Sequence, residues 1–284
     1  MATFYNQATL SYNGNTTTSN ITTGELVEVL SAKKHAVLPD YVAGDAATYI
    51  VTIVNSGTVP FTDLTLTDDL GAYTNTGRTL VPLTYVNGSL KYYINGILQA
   101  TPAITAADNL TVTGISVPAN GNAAVVYQTA VNQFAPLASG SSITNTARIS
   151  GANLTNDLLA TEQITAADTA MLTISKSVSP TTVSENGQLT YTFVIQNNGN
   201  TPATVADTVV VTDTFNPALD PITVTFNGTA WTAPTNYTYD KTTGAFASVA
   251  GQITVPAATY TRDPVTESLI INPGVSVLTI SGTV

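Results

Sequence analysis

The chain contains no cysteine and a single histidine, His35. The first absence excludes disulfides and thiolate metal sites. The second excludes multi-histidine metal sites and most acid–base dyads. Charge is scarce as well: charged residues make up 9% of the 284 positions, against about 25% in ordinary soluble domains. The charges sum to −10, which argues against nucleic-acid and anionic-membrane partners, because both attract basic patches. No run is long and apolar enough to span a bilayer, so no membrane insertion is expected. The opening residues Met1, Ala2, Thr3 and Phe4 lack the basic and apolar regions of a secretion leader. Either a leader is removed or the protein is made without one. Helical periodicity is almost absent too.

What the sequence does have is strand pattern. Hydrophobic residues make up 43%, too many for a disordered chain. Short alternating runs such as 48–54 and 64–67, broken by Asn, Gly, Pro and Asp, predict β-sandwich domains. Asn95-Gly96 and Asn227-Gly228, flanked by strand-like residues, predict tight hairpin turns.

An internal repeat sets the organisation. Lys34 matches Lys176, Tyr49 matches Tyr191, Asn55 matches Asn197, Gly57 matches Gly199 and Pro60 matches Pro202, each 142 positions apart (176 − 34). After a small insertion, Asp68 matches Asp213. Further on, Val125, Tyr127 and Val131 match Leu278, Ile280 and Val284. The repeat predicts two sandwiches in tandem, residues 28–169 and 170–284, stacked end to end through a short connection near Asp168. The first continues past Val131 into closing strands. The second reaches the equivalent point at Val284 and lacks them.

The missing part resembles the start of the chain. Ile143, Asn145, Ala147 and Ile149 alternate along the first sandwich's closing strand. Phe4, Asn6, Ala8 and Leu10 repeat that pattern where no sandwich precedes them. Spacing by two puts each set on one strand face. A sandwich without its closing strand exposes an apolar groove and unpaired backbone groups; the acceptor edge is expected at Leu278, Ile280 and Val284. Residues 1–27 are then a donor strand and linker. Closure within one chain gives a monomer, whereas insertion into the next copy gives a head-to-tail contact that never closes, hence a fibre. The alternative is a piece of a longer array whose leading strand is the stump of a preceding domain.

Polar residues on apolar faces supply the chemistry. Lys34 shares a face with Leu30, Ala32 and Ala36, and Lys176 with Leu172, Ile174 and Val178. Asp68 lies with Leu64, Leu66 and Leu70, and Asp213 with Val209, Val211 and Phe215. Asn145 and Asn6 complete the two sets. Buried lone charges are expensive, and desolvation lowers a lysine's pKa while raising an aspartate's. A neutral lysine amine beside an Asn amide, with a protonated Asp to polarise the carbonyl and pass protons, forms an amide bond and releases ammonia. The reaction occurs once per site and needs no cofactor. The other reading is a hydrogen-bonded Lys–Asp pair with Asn satisfying the remaining groups.

Weaker candidates are few. His35 reads as an exposed strand residue. Asp68-Asp69 lacks the density of acids that a calcium loop requires. Nothing specific supports a paired-carboxylate glycosidase. Trp231 and the tyrosines suit a sugar platform or, more commonly, core packing.

At Lys176 to Pro180, Tyr191, Asn197 to Pro202, Val211 to Asp213, and Asn145 to Ala147, the sequence resembles the domain-of-unknown-function-eleven repeats of bacterial and archaeal surface proteins. The resemblance covers nearly the whole chain. It implies immunoglobulin-like modules, an extracellular structural role and no catalytic turnover. The Lys/Asp/Asn set is also similar to that of adhesin and pilin stalk domains of the collagen-adhesin type. That similarity implies an isopeptide bond from Lys34 to Asn145 assisted by Asp68. By matching position, it implies one from Lys176 to Asn6 of another molecule, assisted by Asp213. The open second sandwich departs from usual tandem arrays, and no sorting motif is present.

The expectation is therefore a self-assembling filament subunit on a cell or spore surface, with itself as partner and no metal. A monomeric adhesive or glycan-binding module is the second reading, and a hydrolase the third.

Overall fold

Alternation of apolar and polar residues becomes strand structure along most of the chain, because one face of a sandwich strand is buried while the other meets water. A computed structural model describes residues 2–26 and 28–284. It is all-β with several antiparallel sheets, and the one helical element among the described residues is a 3-10 turn, Val205–Asp207.

The N-terminal segment holds β1 (Ala2–Asn6), β2 (Thr9–Tyr12), β3 (Asn15–Thr18) and β4 (Thr22–Leu26). Strand β1 pairs with β4, and β2 with β3, both antiparallel. The turn between β2 and β3 is Asn13-Gly14, with φ of 45° and 80°. Both residues lie in the left-handed region that a two-residue hairpin turn demands. Asn95-Gly96 and Asn227-Gly228 have the same geometry, with φ of 49° and 78°, and of 49° and 79°.

The chain falls into two compact units. One runs up to Leu38 and adds Ala46–Ala130 and Thr144–Gln163; the other comprises Pro39–Asp45, Val131–Ile143 and Ile164–Val284. The strands that follow the N-terminal segment are β5 (Leu30–Ala36), β6 (Asp40–Tyr41), β7 (Ala46–Asn55) and β8 (Phe61–Asp68). The short β9 (Tyr73–Asn75) and β10 (Arg78–Leu80) form a separate ladder. Next come β11 (Leu83–Tyr85), β12 (Lys91–Ile94), β13 (Ile97–Leu98), β14 (Ala103–Ala106) and β15 (Leu110–Val117). The long β16 (Gly121–Val131), β17 (Ser142–Ser150) and β18 (Leu158–Ala166) complete this part.

Two sheets face each other here. One has the order β13-β12-β16-β7-β5, with β11 also on β16; the other has the order β14-β15-β8-β17-β18-β6. Their inward residues, among them Val51, Ile53, Leu64, Leu66, Val125 and Ile149, are fully buried. The position of β8 matters most: it is paired on one side with β15 and on the other with β17, through Ala147↔Asp68, Arg148↔Thr67, Ile149↔Leu66 and Ser150↔Thr65.

The second unit carries β19 (Leu172–Ser179), β20 (Gln188–Asn197), β21 (Thr212–Thr214), β22 (Ile222–Phe226) and β23 (Thr229–Trp231). It continues with β24 (Tyr237–Asp240), β25 (Ala245–Ser248), β26 (Thr259–Arg262), β27 (Leu269–Asn272) and β28 (Gly274–Thr283). One sheet has the order β19-β20-β28-β22-β23, a second the order β21-β25-β24, and β26 pairs with β27. The core between them is aromatic. Phe215 stacks on Tyr191 at 4.8 Å between ring centroids, and Trp231 on Phe226 at 5.0 Å. Trp231 is therefore a core residue and not an exposed sugar platform.

Strand β21 corresponds to the end of β8, yet among the described residues it is paired on one side only, with β25. The acceptor edge expected at Leu278 and Ile280 is not there. Strand β28 is flanked by β20 and β22 and both side chains are fully buried. Val284 lies just beyond β28, its N–H bonded to Gly187. A repeat locates equivalent residues along the chain but not their neighbours across a sheet, and the free side belongs to β21.

Candidate functional site

The first constellation joins the two facing sheets of the first unit. Lys34 points inward from β5, Asp68 from the end of β8. Lys34 Nζ donates to Asp68 Oδ2 at 2.5 Å, with both side chains completely buried. Tyr127 on β16 donates its hydroxyl to the same oxygen, and Asp68 Oδ1 accepts from the Leu70 N–H at 3.0 Å. The ammonium lies 4.7 Å from the centroid of the Tyr49 ring, which stacks on Tyr127. Burial lowers the Lys34 pKa despite the opposing pull of Asp68. Burial, then the Asp68 charge, pushes the Tyr127 hydroxyl well up. The amine is thus biased toward its nucleophilic neutral form.

Asn145 is tied to the same turn. Its Oδ1 accepts from the Gly71 N–H at 3.2 Å. Asp69 Oδ1 accepts from the Thr146 N–H at 2.9 Å, and the Asp69 N–H donates to the Thr146 carbonyl at 3.0 Å. Left-handed φ values at Leu70 and Gly71, 53° and 73°, turn these N–H groups inward. The result is an amide whose carbonyl receives a hydrogen bond while its buried Nδ2 has no partner among the described residues. An orphaned buried amide nitrogen costs about 1–3 kcal/mol. Loss of that nitrogen as ammonia would remove the cost.

The second constellation repeats two members in a different setting. Lys176 on β19 donates to Asp213 on β21, and Asp213 Oδ1 accepts from the Thr214 N–H at 2.8 Å. Aromatic rings surround the ammonium: Tyr191 at 4.5 Å, Phe215 at 5.4 Å and Phe193 at 5.5 Å. Its side chain is 39% exposed and that of Asp213 18%, where their counterparts are 0%. Strand β19 is open along its length. Leu172 is 37% and Ile174 55% exposed, whereas Leu30, the counterpart of Leu172, is 6% exposed. Ile280 occupies the place of Tyr127, so Asp213 receives no phenolic hydroxyl. Among the described residues no Asn is hydrogen-bonded to this pair, and Asn6 is exposed on β1 opposite Thr22.

Phe4 and Leu10 are more than half exposed, on β1 and β2 respectively, and Ala8 is exposed between these strands. Sequence reasoning missed three things. Tyr127 reads as a core residue, and only the two-residue register places its hydroxyl on Asp68. Gly71 acts through its backbone N–H, which no side-chain pattern reports. Asn13-Gly14 is the same turn signal as Asn95-Gly96 and marks a return strand within the N-terminal segment. His35 is exposed as expected, with Nδ1 3.4 Å from Glu162. Among the described residues no acidic or histidine cluster could hold a metal, and no helix is long and apolar enough to cross a membrane.

No family model matches the chain, and no curated protein does. Solved structures are similar at a distance. BcpA, the major pilin subunit of Bacillus cereus, is 13% identical over 95% of this chain and 73% of its own, with a TM-score of 0.37. The pilus backbone protein RrgB from Streptococcus pneumoniae is 10% identical over 86% and 55%, with a TM-score of 0.34. The collagen-binding subdomain of the Enterococcus faecalis surface protein ACE is 9% identical over 51% and 100%, at 0.30.

Proposed function

We propose that the chain is the structural subunit of a self-assembling extracellular filament, a pilus or a spore-surface appendage. Residues 2–26 of one copy close the sandwich of residues 170–284 in the next. The observation that carries this reading is the one-sided pairing of β21 beside a half-exposed Lys176–Asp213 pair, at the place where β17 covers β8 and buries Lys34–Asp68. The matching alternation of Phe4, Asn6, Ala8, Leu10 and Ile143, Asn145, Ala147, Ile149 supports the N-terminal segment as the occupant.

The chemistry follows from the same equivalence. Neutral Lys34 Nζ attacks Asn145 Cγ, and a new C–N bond forms. The proton lost by the amine passes through the Asp68 carboxyl to the departing Nδ2, which leaves as ammonia. The Gly71 N–H supports the developing oxyanion. Lys176, Asp213 and Asn6 of the adjoining copy perform the same step across the joint, so each joint becomes covalent. Such a filament presents a ladder on denaturing gels, and electron micrographs of pure material show fibres. Intact mass is lower by one ammonia for each bond. Deleting Met1 to Ser11 leaves soluble monomer. Asn6→Ala leaves fibres that fall apart in hot detergent. Pure protein that stays monomeric at all concentrations, with or without residues 1–11, overturns the reading.

A further inference from the structure

Resting on the filament reading, we infer that the element donated to the next copy is a two-stranded hairpin, β1–β2 with β3–β4 still attached, and not a lone strand. In the first unit the neighbour of β8 is not single. Strand β17 is backed by β18, with Thr146 Oγ1 3.1 Å from Thr161 Oγ1 and Gln163 Nε2 donating to Thr144 Oγ1 at 3.2 Å. Those contacts put Glu162 opposite Asn145, as Thr22 lies opposite Asn6. The second unit has an equivalent of neither strand among the described residues, so one donated strand would leave a new bare edge.

The N-terminal segment is built as that pair. Its ladder runs Ala2↔Leu26 to Asn6↔Thr22 and resumes Thr9↔Thr18 to Tyr12↔Asn15. The interruption at Gln7 and Ala8 is stitched by Ser19: its N–H donates to the Ala8 carbonyl, its Oγ accepts from the Ala8 N–H, and its carbonyl accepts from Gln7 Nε2 at 2.7 Å. Phe4 stands opposite Gly24, its ring filling the space a Gly24 side chain would take. One backbone edge of β1–β2 is consumed by this return strand, and among the described residues the other pairs with no strand.

Charge also fits. Residues 2–24 hold no charged side chain, and the groove they would cover holds a lysine and an aspartate that neutralise each other. The uncharged stretch 2–24 covers that pair without stranding a third charge; the hairpin's one charged residue, Glu25, stands opposite Thr3 near its open end. Transferring the β17–β8 register gives Ala8↔Asp213, Thr9↔Thr212, Leu10↔Val211 and Ser11↔Val210 across the joint. Val210, 46% exposed, lies on the strip to be covered.

The test locks the hairpin. Ser11 Oγ and Thr16 Oγ1 face each other at 3.3 Å, and the chain has no native cysteine, so Ser11→Cys/Thr16→Cys makes one defined disulfide. The oxidised protein is expected to polymerise as fast as the reduced protein and the unmodified chain. Oxidised protein that stays monomeric while its reduced form and the unmodified chain both polymerise overturns the hairpin and leaves the filament standing. Failure of the unmodified chain to polymerise overturns both. Amide exchange on unmodified fibres gives an independent reading. Protection over Asn15–Thr18 and Thr22–Leu26 supports the hairpin, and free exchange there overturns it.

Discussion

Replacing a single lysine by methionine should be costly in one unit and nearly silent in the other, although both lysines hold an aspartate. Made in an Asn145→Ala background, where no cross-link can form, Lys34→Met keeps most of the side-chain volume and leaves Asp68 wholly buried without its counter-charge. Removing one partner of a buried pair typically costs about 3–5 kcal/mol, because the surviving charge stays desolvated. At about 2–4 °C of melting temperature per kcal/mol for a body of this size, the first unit should melt about 6–20 °C lower. Lys176→Met faces a pair with side chains 39% and 18% exposed, where water screens the orphaned carboxylate. Exposed pairs contribute about 0.2–1 kcal/mol, so the second unit of the monomer should shift by about 4 °C or less. Thermal unfolding of the chain lacking residues 1–11 measures both. The sole tryptophan, Trp231, lies in the second core and reports that unit by fluorescence, while circular dichroism reports both. Equal losses for the two variants would refute the claim that cover, and not sequence, separates the pairs. A third variant, Lys34→Met/Asp68→Leu, should recover much of the loss, since an apolar replacement of both partners removes the stranded charge.

Other outcomes follow from the same geometry. Tyr127→Phe deletes the hydroxyl on the Asp68 carboxylate and should cost about 1.5–3 kcal/mol in urea unfolding, the range for hydrogen bonds to charged groups. The same variant changes the alkaline limb. Tyr127 has its pKa raised in the folded state from 10.0, so its contribution is complete below pH 10 and is lost as pH rises past it. Lys34, lowered from 10.5 while its amine is unreacted, has the opposite sign there and adds stability as pH climbs toward that value. Tyr127→Phe should therefore lose less stability than the parent between pH 10 and 11. Gly244→Ala should cost about 3 kcal/mol or more by thermal melting. Its φ of 74° is left-handed and a Cβ would sit 2.1 Å from the Phe215 carbonyl oxygen.

Much of this architecture is legible in the sequence because strand period is exactly two residues. Lys34, Asp68 and Asn145 stand on apolar faces, and the fold buries all three. The Lys176–Asp213 pair forms for the same reason. What the pattern could not carry is adjacency. Leu278 and Ile280 sit on a strand that looks terminal by repeat but is central by pairing, because β22 crosses over to lie beside it. Tyr127 was hidden among apolar neighbours, since a phenol within a hydrophobic alternation reads as packing until its hydroxyl has an acceptor. Gly71 contributes only main chain. The return strand β3–β4 carries five threonines and almost no large apolar residue, so its pairing rests on the Asn13-Gly14 turn and not on hydrophobic period.

The lack of charge in residues 2–24 has a consequence beyond assembly. Exposed hairpins and chain ends are where proteases usually make their first cut. An enzyme that cleaves after lysine or arginine finds no such bond there, the first basic residue being Lys33, and the next, Lys34, is sealed inside a core. In the free subunit this exposed segment thus offers trypsin-like enzymes nothing to hold, so its composition protects it until a neighbouring copy covers it.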